Sequence, residues 1–193
     1  MKRSTITLAL ALFLAPLTVQ GKGLYMTPEA FLTETFAPTF TSSQLLIKSL
    51  WLTDDIRDKA KQILNHAYPG MRIRYWLPDG RTPQHTAWIF NEVGKTRPIT
   101  IGISIVDNRI ERVRILEFRE SRGAEVRMPF FTEQFVGLKL QSSGYELSES
   151  VDGITGATLS VRAVKKTARF ALYLHQLIVA ESLKKSGQTL ALQ

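Results

Sequence analysis

The chain has 193 residues, 44% of them hydrophobic and 22% charged, with a formal net charge of +8. That length suits one globular domain with a real core, and no run of five or six like charges marks a nucleic-acid arm. There is no cysteine, which excludes disulfides, thiolate metal sites, iron–sulfur clusters and haem attached through Cys.

Met1-Lys2-Arg3 is a short basic start, followed by an apolar run from Ser4 to Val19 that Pro16 interrupts. This reads as a signal peptide over residues 1–21, cut after Gly21. The alternative is an uncleaved membrane anchor, which the short run and its proline disfavour. The expected location is therefore a periplasm, with membrane association as the alternative. In an exported chain the positive charge suits anionic lipid or an acidic protein better than nucleic acid.

Thr27-Pro28-Glu29 predicts a helix start with Thr27 as cap, running to about Phe36. Ser43 to Leu50 reads as a second short helix. Thr53-Asp54-Asp55 opens a third, with Ile56, Ala60, Ile63, Leu64 and Ala67 on one face and Tyr68-Pro69-Gly70 ending it. The period then changes from helical to alternating. Strands are predicted over 71–77, 86–93, 99–106 and 110–118, with a tight turn at Asp107-Asn108 and Arg112 and Arg114 pointing outward. Phe130 to Val136 predicts one or two helical turns closed by Gly137, and Leu138 to Tyr145 a brief edge strand. The last element is a long helix. Its buried stripe is Val161, Val164, Ala168, Ala171, Leu172, His175 and Ile178. The sum is an α+β domain: N-terminal helices over 22–70, an antiparallel sheet, and a long closing C-terminal helix that ends the main domain, 71–185, before a tail at 186–193.

Just before that helix stands Asp152-Gly153-Ile154-Thr155-Gly156-Ala157-Thr158-Leu159-Ser160. A helix cap needs one hydroxyl, and this stretch supplies three. Asp152 through Thr158 resembles the flavinylation sequence of the FMN-binding domain family: Asp, two variable residues, Ser or Thr, Gly, Ala, Thr. The family includes the flavin-carrying subunits of sodium-pumping quinone reductase and of the Rnf complex, and many small exported proteins. The resemblance implies that a flavin transferase cleaves FAD and leaves FMN on Thr158 through a phosphoester. It also implies that Asp152, Thr155, Gly156 and Ala157 belong to the recognised signal. The residue types suit that chemistry. Thr158 offers the hydroxyl, Gly156 and Ala157 leave the backbone open, and a helix start with Ser160 nearby favours a phosphate. The bland alternative is a helix cap with a permissive glycine.

Glu120-Ser121-Arg122-Gly123 resembles the Glu-Thr-Pro-Gly loop of the same family, with only Glu120 and Gly123 matching. Its two readings are a border of the flavin or a strand-ending turn with a solvated glutamate. Gln134-Phe135-x-Gly137 resembles the family's segment between the two motifs. The resemblance spans about 75–177 and implies a covalent FMN cofactor and an electron-transfer module rather than an enzyme with its own substrate. Its implied partners are the flavin transferase and a membrane or periplasmic redox protein. The rival reading is an exported domain that holds an anionic ligand or lipid head without flavin.

Other candidates are weaker. His66, His85 and His175 have no acidic or histidine neighbour at metal-ligand spacing, and His175 reads as a satisfied core residue. Trp88 and Phe130 are the first choices for stacking on a flavin ring, ahead of Trp51, Trp76 and Phe131. Arg72, Arg74 and Arg122 are candidates to favour an anionic reduced flavin. No nucleophile elbow, P-loop or Gly-x-Gly-x-x-Gly is present, so no catalytic residues and no metal ligands are assigned.

Overall fold

Why the N-terminal helices do not stand apart from the sheet follows from the partner each one finds. The computed structural model describes residues 23–37, 44–79 and 83–190. α1 spans Pro28–Phe36, β1 Leu45–Trp51 and α2 Asp54–Leu64. Strands β2 Arg72–Pro78, β3 His85–Val93, β4 Pro98–Val106 and β5 Arg109–Phe118 follow. After a 3-10 turn at Ala124–Arg127 come α3, Pro129–Thr132, and the long α4, Thr158–Leu190. The five strands form one antiparallel sheet in sequence order, β1 to β5. The α+β class, the antiparallel sheet and the closing helix are as the sequence predicts.

Three local readings change. The segment read as a helix over Ser43–Leu50 is strand β1 from Leu45; Ser43 lies outside the described residues. Leu46 and Leu50 pack on the main core while Leu45 packs under α1. Ile47 is opposite Trp76 and Trp51 opposite Arg72, so tertiary pairing decides a segment whose short apolar run suits either state. α2 stops at Leu64, not at Tyr68, because Asn65 takes a left-handed conformation (φ 61°). The edge strand over 138–145 reduces to a single bridge, Leu140 to Leu147.

The sheet buries both faces. On one face α4 covers Trp88, Phe90, Ile99, Ile101, Ile103, Ile105, Val113 and Ile115, and α2 packs against α4 in the same core. On the other, α1 presses Phe31 and Phe36 against Ala87 and Leu116. Each of those phenylalanines is worth about 1.5–3 kcal/mol of burial. Thr27 caps α1, its Oγ1 accepting from Ala30 N–H at 3.1 Å. Glu34 on α1 pairs with Arg114 at 2.6 Å, so the outward arginines of β5 dock the helix instead of facing water. A register shift between Thr100 and Ile101 leaves Leu116 without an opposite residue on β4, so Ile115 and Phe118, three apart, both face the main core while Leu116 faces the other. The Leu116 carbonyl then accepts from Tyr25 N–H (2.9 Å) and Met26 N–H (3.1 Å), tying the incoming chain to β5.

All seven residues of the predicted α4 stripe are buried. Val161, Val164, Ala168, Ala171, Leu172 and Ile178 join the main core. The antiparallel order places the ends of β1, β3 and β5 and the starts of β2 and β4 at one end of the sheet. The N-terminus of α4 lies at that same end.

Candidate functional site

The start of α4 is built from three loops. Gly156 adopts φ +82°, and open space surrounds the position a Cβ would take. Its neighbour Ala157 is buried and donates its N–H to Ile154 O at 3.0 Å. The first bond of the helical turn runs from Val161 N–H to Ala157 O at 3.0 Å. The N–H groups of Thr158, Leu159 and Ser160 therefore precede the hydrogen-bonded ladder and point out of the helix start. The Thr158 side chain is exposed at that point.

Thr158 borders two cavities. One, of about 520 Å³, is lined by Lys95, Glu120, Arg122, Gly156, Leu159 and Ser160 among others. The second, of about 610 Å³, lies across Thr158 and is lined by Ser148, Ser150, Arg162, Lys165 and Arg169 among others. Lys165 Nζ donates to Val151 O at 3.1 Å, and Arg169 pairs with Glu146. A group on the Thr158 hydroxyl has room on either side.

The structure brings the two sequence motifs together. Gly123 adopts φ +91° and lies against α4, where a Cβ would come 2.6 Å from Ser160 Oγ. Only glycine allows both that backbone and that approach. Ser160, expected to reach toward a phosphate, is buried beneath this contact while still lining the first cavity. Asp152 is exposed, and its backbone N–H donates to Gln134 Oε1 at 2.7 Å. Gln134 Nε2 in turn donates to Phe130 O at 3.0 Å. Gln134 thus joins the helical turns at 129–135 to the loop before α4, a role the sequence marked only as part of a resembling segment. Thr155 is exposed in the turn ahead of Gly156.

Glu120 lines the first cavity, and its carboxylate is held by a neighbouring loop. Its carboxylate accepts from the N–H groups of Lys95 (2.5 Å), Thr96 (2.6 Å) and Arg97 (2.9 Å), and from the Thr96 hydroxyl (3.1 Å). Burial pushes its pKa up, but the four donors outweigh it and lower it to about 2. Glu120 clamps the β3–β4 loop to the end of β5 and so fixes one wall of the cavity. Nothing in the spacing of the sequence announces the 94–97 loop as its partner.

The aromatic candidates separate. Trp88 is fully buried, stacked on Tyr75 with ring centroids 4.9 Å apart, and has no surface to offer a flavin. Phe131 is buried as well, whereas Phe130 is 60% exposed. Trp51, Arg72 and Arg74 lie on β1 and β2, at the edge of the sheet away from β5 and the Gly123 loop, and Trp76 packs under α1. Of the candidate arginines only Arg122 lines a cavity at Thr158. His175 is buried, but only its Nδ1 is partnered, with Thr86 Oγ1 at 2.8 Å; Nε2 has none. Among the described residues no group of three His, Cys, Asp or Glu side chains is placed to hold a metal.

Residues 94–173 match the model of the FMN-binding domain family. That stretch, 80 of the 193 residues, is similar to FMN-binding domains. The match opens at the Glu120-clamped loop and closes within α4, so it contains both motifs and both cavities. No curated protein matches the chain in sequence. Among solved structures it resembles NqrC of Shewanella oneidensis, with a TM-score of 0.55 and 14% identity, over 74% of this chain and 86% of that one. At that identity the likeness is one of fold. It shows that most of this chain shares a fold with NqrC.

Proposed function

We propose that the chain is an exported electron-transfer module that carries FMN in phosphoester linkage on the Thr158 hydroxyl. The observation that carries this reading is the placement of Thr158. It is an exposed hydroxyl at a helix start, between two cavities, behind a glycine with open space around it. The residues fit the group. The N–H groups of Thr158, Leu159 and Ser160 suit the phosphate diester. Asp152 and Thr155, both exposed, are accessible to a modifying enzyme, and Gly156 lets the backbone bend toward it. Gly123 and Glu120 hold the cavity wall, and Arg122 supplies positive charge there. When bound, FMN supplies reversible one- or two-electron chemistry, and the protein tethers and orients it. A tether suits a periplasmic site, where lost FMN is not readily replaced.

The resemblance in sequence and the NqrC-like fold support a membrane redox protein as donor or acceptor and a flavin transferase as the maturing enzyme. The test is co-expression with such a transferase, followed by a denaturing gel viewed for flavin fluorescence. A fluorescent band is expected for the natural chain and its loss in Thr158→Ala. Peptide mapping should place FMN on residue 158. A colourless natural chain, or an adduct elsewhere, overturns the proposal and favours a non-flavin anion-binding domain.

A further inference from the structure

The two edges of the sheet differ. The outer edge of β5 is covered at both ends. Ile110 N–H donates to Leu138 O at 2.9 Å, Ile110 O accepts from Gly137 N–H at 2.7 Å, and Phe118 N–H donates to Gly23 O at 2.8 Å. β1 is the other edge, and among the described residues it pairs with β2 alone. Asp79 N–H donates to Gln44 O at 2.7 Å and Leu52 N–H to Met71 O at 2.9 Å, and the register between these bonds is unbroken. In an antiparallel ladder the bonded residues alternate. Leu46, Lys48 and Leu50 therefore turn their backbone groups toward β2, while Leu45, Ile47, Ser49 and Trp51 turn theirs outward. The side chains of that outward set share the α1 face. Leu45 packs under α1, but Ile47 is 65% exposed and Trp51 60%, and Ser49 is exposed between them. The strand has neither a proline nor a bulge to guard its edge, and its one charge, Lys48, stands on the opposite face.

We infer that β1 pairs with β1 of a second copy of the chain, antiparallel about a two-fold axis at Ser49, so that one sheet runs through both chains. The strand's own side chains select that register. Outward residues must face outward residues, so the axis falls on a residue of the strand. On Lys48 it would set two like charges directly opposite each other, which destabilises a pair. Nearer either end it would leave Ile47 or Trp51 with no strand residue opposite. On Ser49 it sets Ile47 of each chain against Trp51 of the other and Lys48 against Leu50, and Ser49 faces its own copy. The outward pairs then exchange both of their N–H···O bonds, and the two exposed apolar side chains cover each other. Aromatic and β-branched partners of this kind stabilise antiparallel ladders. The Arg72 guanidinium, 5.8 Å from the Trp51 ring centroid, flanks that ring on its β2 side and leaves the outer side to Ile47 of the second copy. The contact is self-complementary, as a two-fold interface requires. Thr158 lies beside the loop after β5, at the other edge of the sheet, so the pairing leaves it open.

The experiment is sedimentation velocity on the purified full chain, with the chain mass read by mass spectrometry. A dimer is expected at concentrations up to about 100 µM. Ser49→Pro removes an N–H that β2 does not use, so the monomer should keep its fold by circular dichroism while association weakens at least about ten-fold. Ile47→Lys, at an exposed position, should weaken it to a similar extent. The chain has no cysteine, so single cysteines report the register. Ser49→Cys should give a disulfide-linked dimer on mild oxidation, because facing residues of a bonded pair lie about 5.5 Å apart at Cα. Lys48→Cys should not, since its copies lie out of register with each other. A natural chain that stays monomeric overturns the proposal, as does a dimer that both Ser49→Pro and Ile47→Lys leave intact, or one that cross-links through position 48 more readily than 49. Protection of this edge only when a different protein is added assigns it to that protein and also overturns it. None of these measurements involves flavin, so their failure is separable from failure of the flavin reading.

Discussion

Ser160 Oγ occupies the space that a side chain on Gly123 would need, 2.6 Å from the built Cβ position. This contact seats the loop after β5 on the first turn of α4, and it is the closest physical link between the two motifs. Gly123→Ala adds a clash to an unfavourable φ of +91°. It should destabilise the fold by about 1–3 kcal/mol, measured by thermal or urea unfolding. Because the loop must move off the helix, flavin incorporation at Thr158 should fall more than stability alone explains. Unchanged incorporation would separate Gly123 from the site.

Gly102 plays a comparable part on the other face. A Cβ there would lie 2.9 Å from three ring carbons of Phe31, which is fully buried. Gly102→Ala should push α1 off the sheet at a cost of about 1–3 kcal/mol. Flavin incorporation should survive, since α1 packs on the face of the sheet opposite α4. A melting temperature equal to that of the natural chain would show that α1 does not depend on this packing.

Glu120 gives a pH test. Its folded pKa of about 2 lies below the ordinary carboxylate value. Its contribution is therefore complete above about pH 4.5 and is lost as pH falls toward 2. Solvent screening limits the effect to on the order of 1 kcal/mol. Glu120→Gln should be less stable at neutral pH and lose less between pH 4.5 and 2. Parallel pH profiles for the two chains would count against the clamp.

His175 acts in a higher window. Burial, with His85 nearby, lowers its pKa from 6.5 to about 4, so the fold holds it neutral. The unfolded chain takes up the proton first, and stability is lost as pH falls from about 6.5 to 4, by about 2–3 kcal/mol at the lower limit. His175→Leu should cost about 1–3 kcal/mol at neutral pH, because Thr86 loses a partner, yet flatten that slope. Urea unfolding at pH 7 and pH 4.5 checks both.

The region of the match was legible because its physics is local. Ile99, Ile101, Ile103 and Ile105 alternate, and Val161 through Ile178 recur at helical spacing, so each element carries its own period in the chain. The motif at 152–158 is likewise contiguous, and its small residues and hydroxyls are the site's own chemistry. The segment at 45–51 was not legible, since seven mostly apolar residues fit a helix or a strand equally. Only pairing with β2 decides between them.

By itself the sequence determined the class of fold, the long closing helix, and the hydroxyl on which the functional proposal rests, because periodicity and motif are properties of neighbours in the chain. Tertiary structure alone decided that Glu120 bonds the 94–97 loop, that Gly123 lies under Ser160, and that Trp88 is sealed in the core while Phe130 stands out. Those facts depend on residues 23 to 37 positions apart, or on which face of a sheet is covered. Chain closure and packing set such relationships, and they leave no period to read.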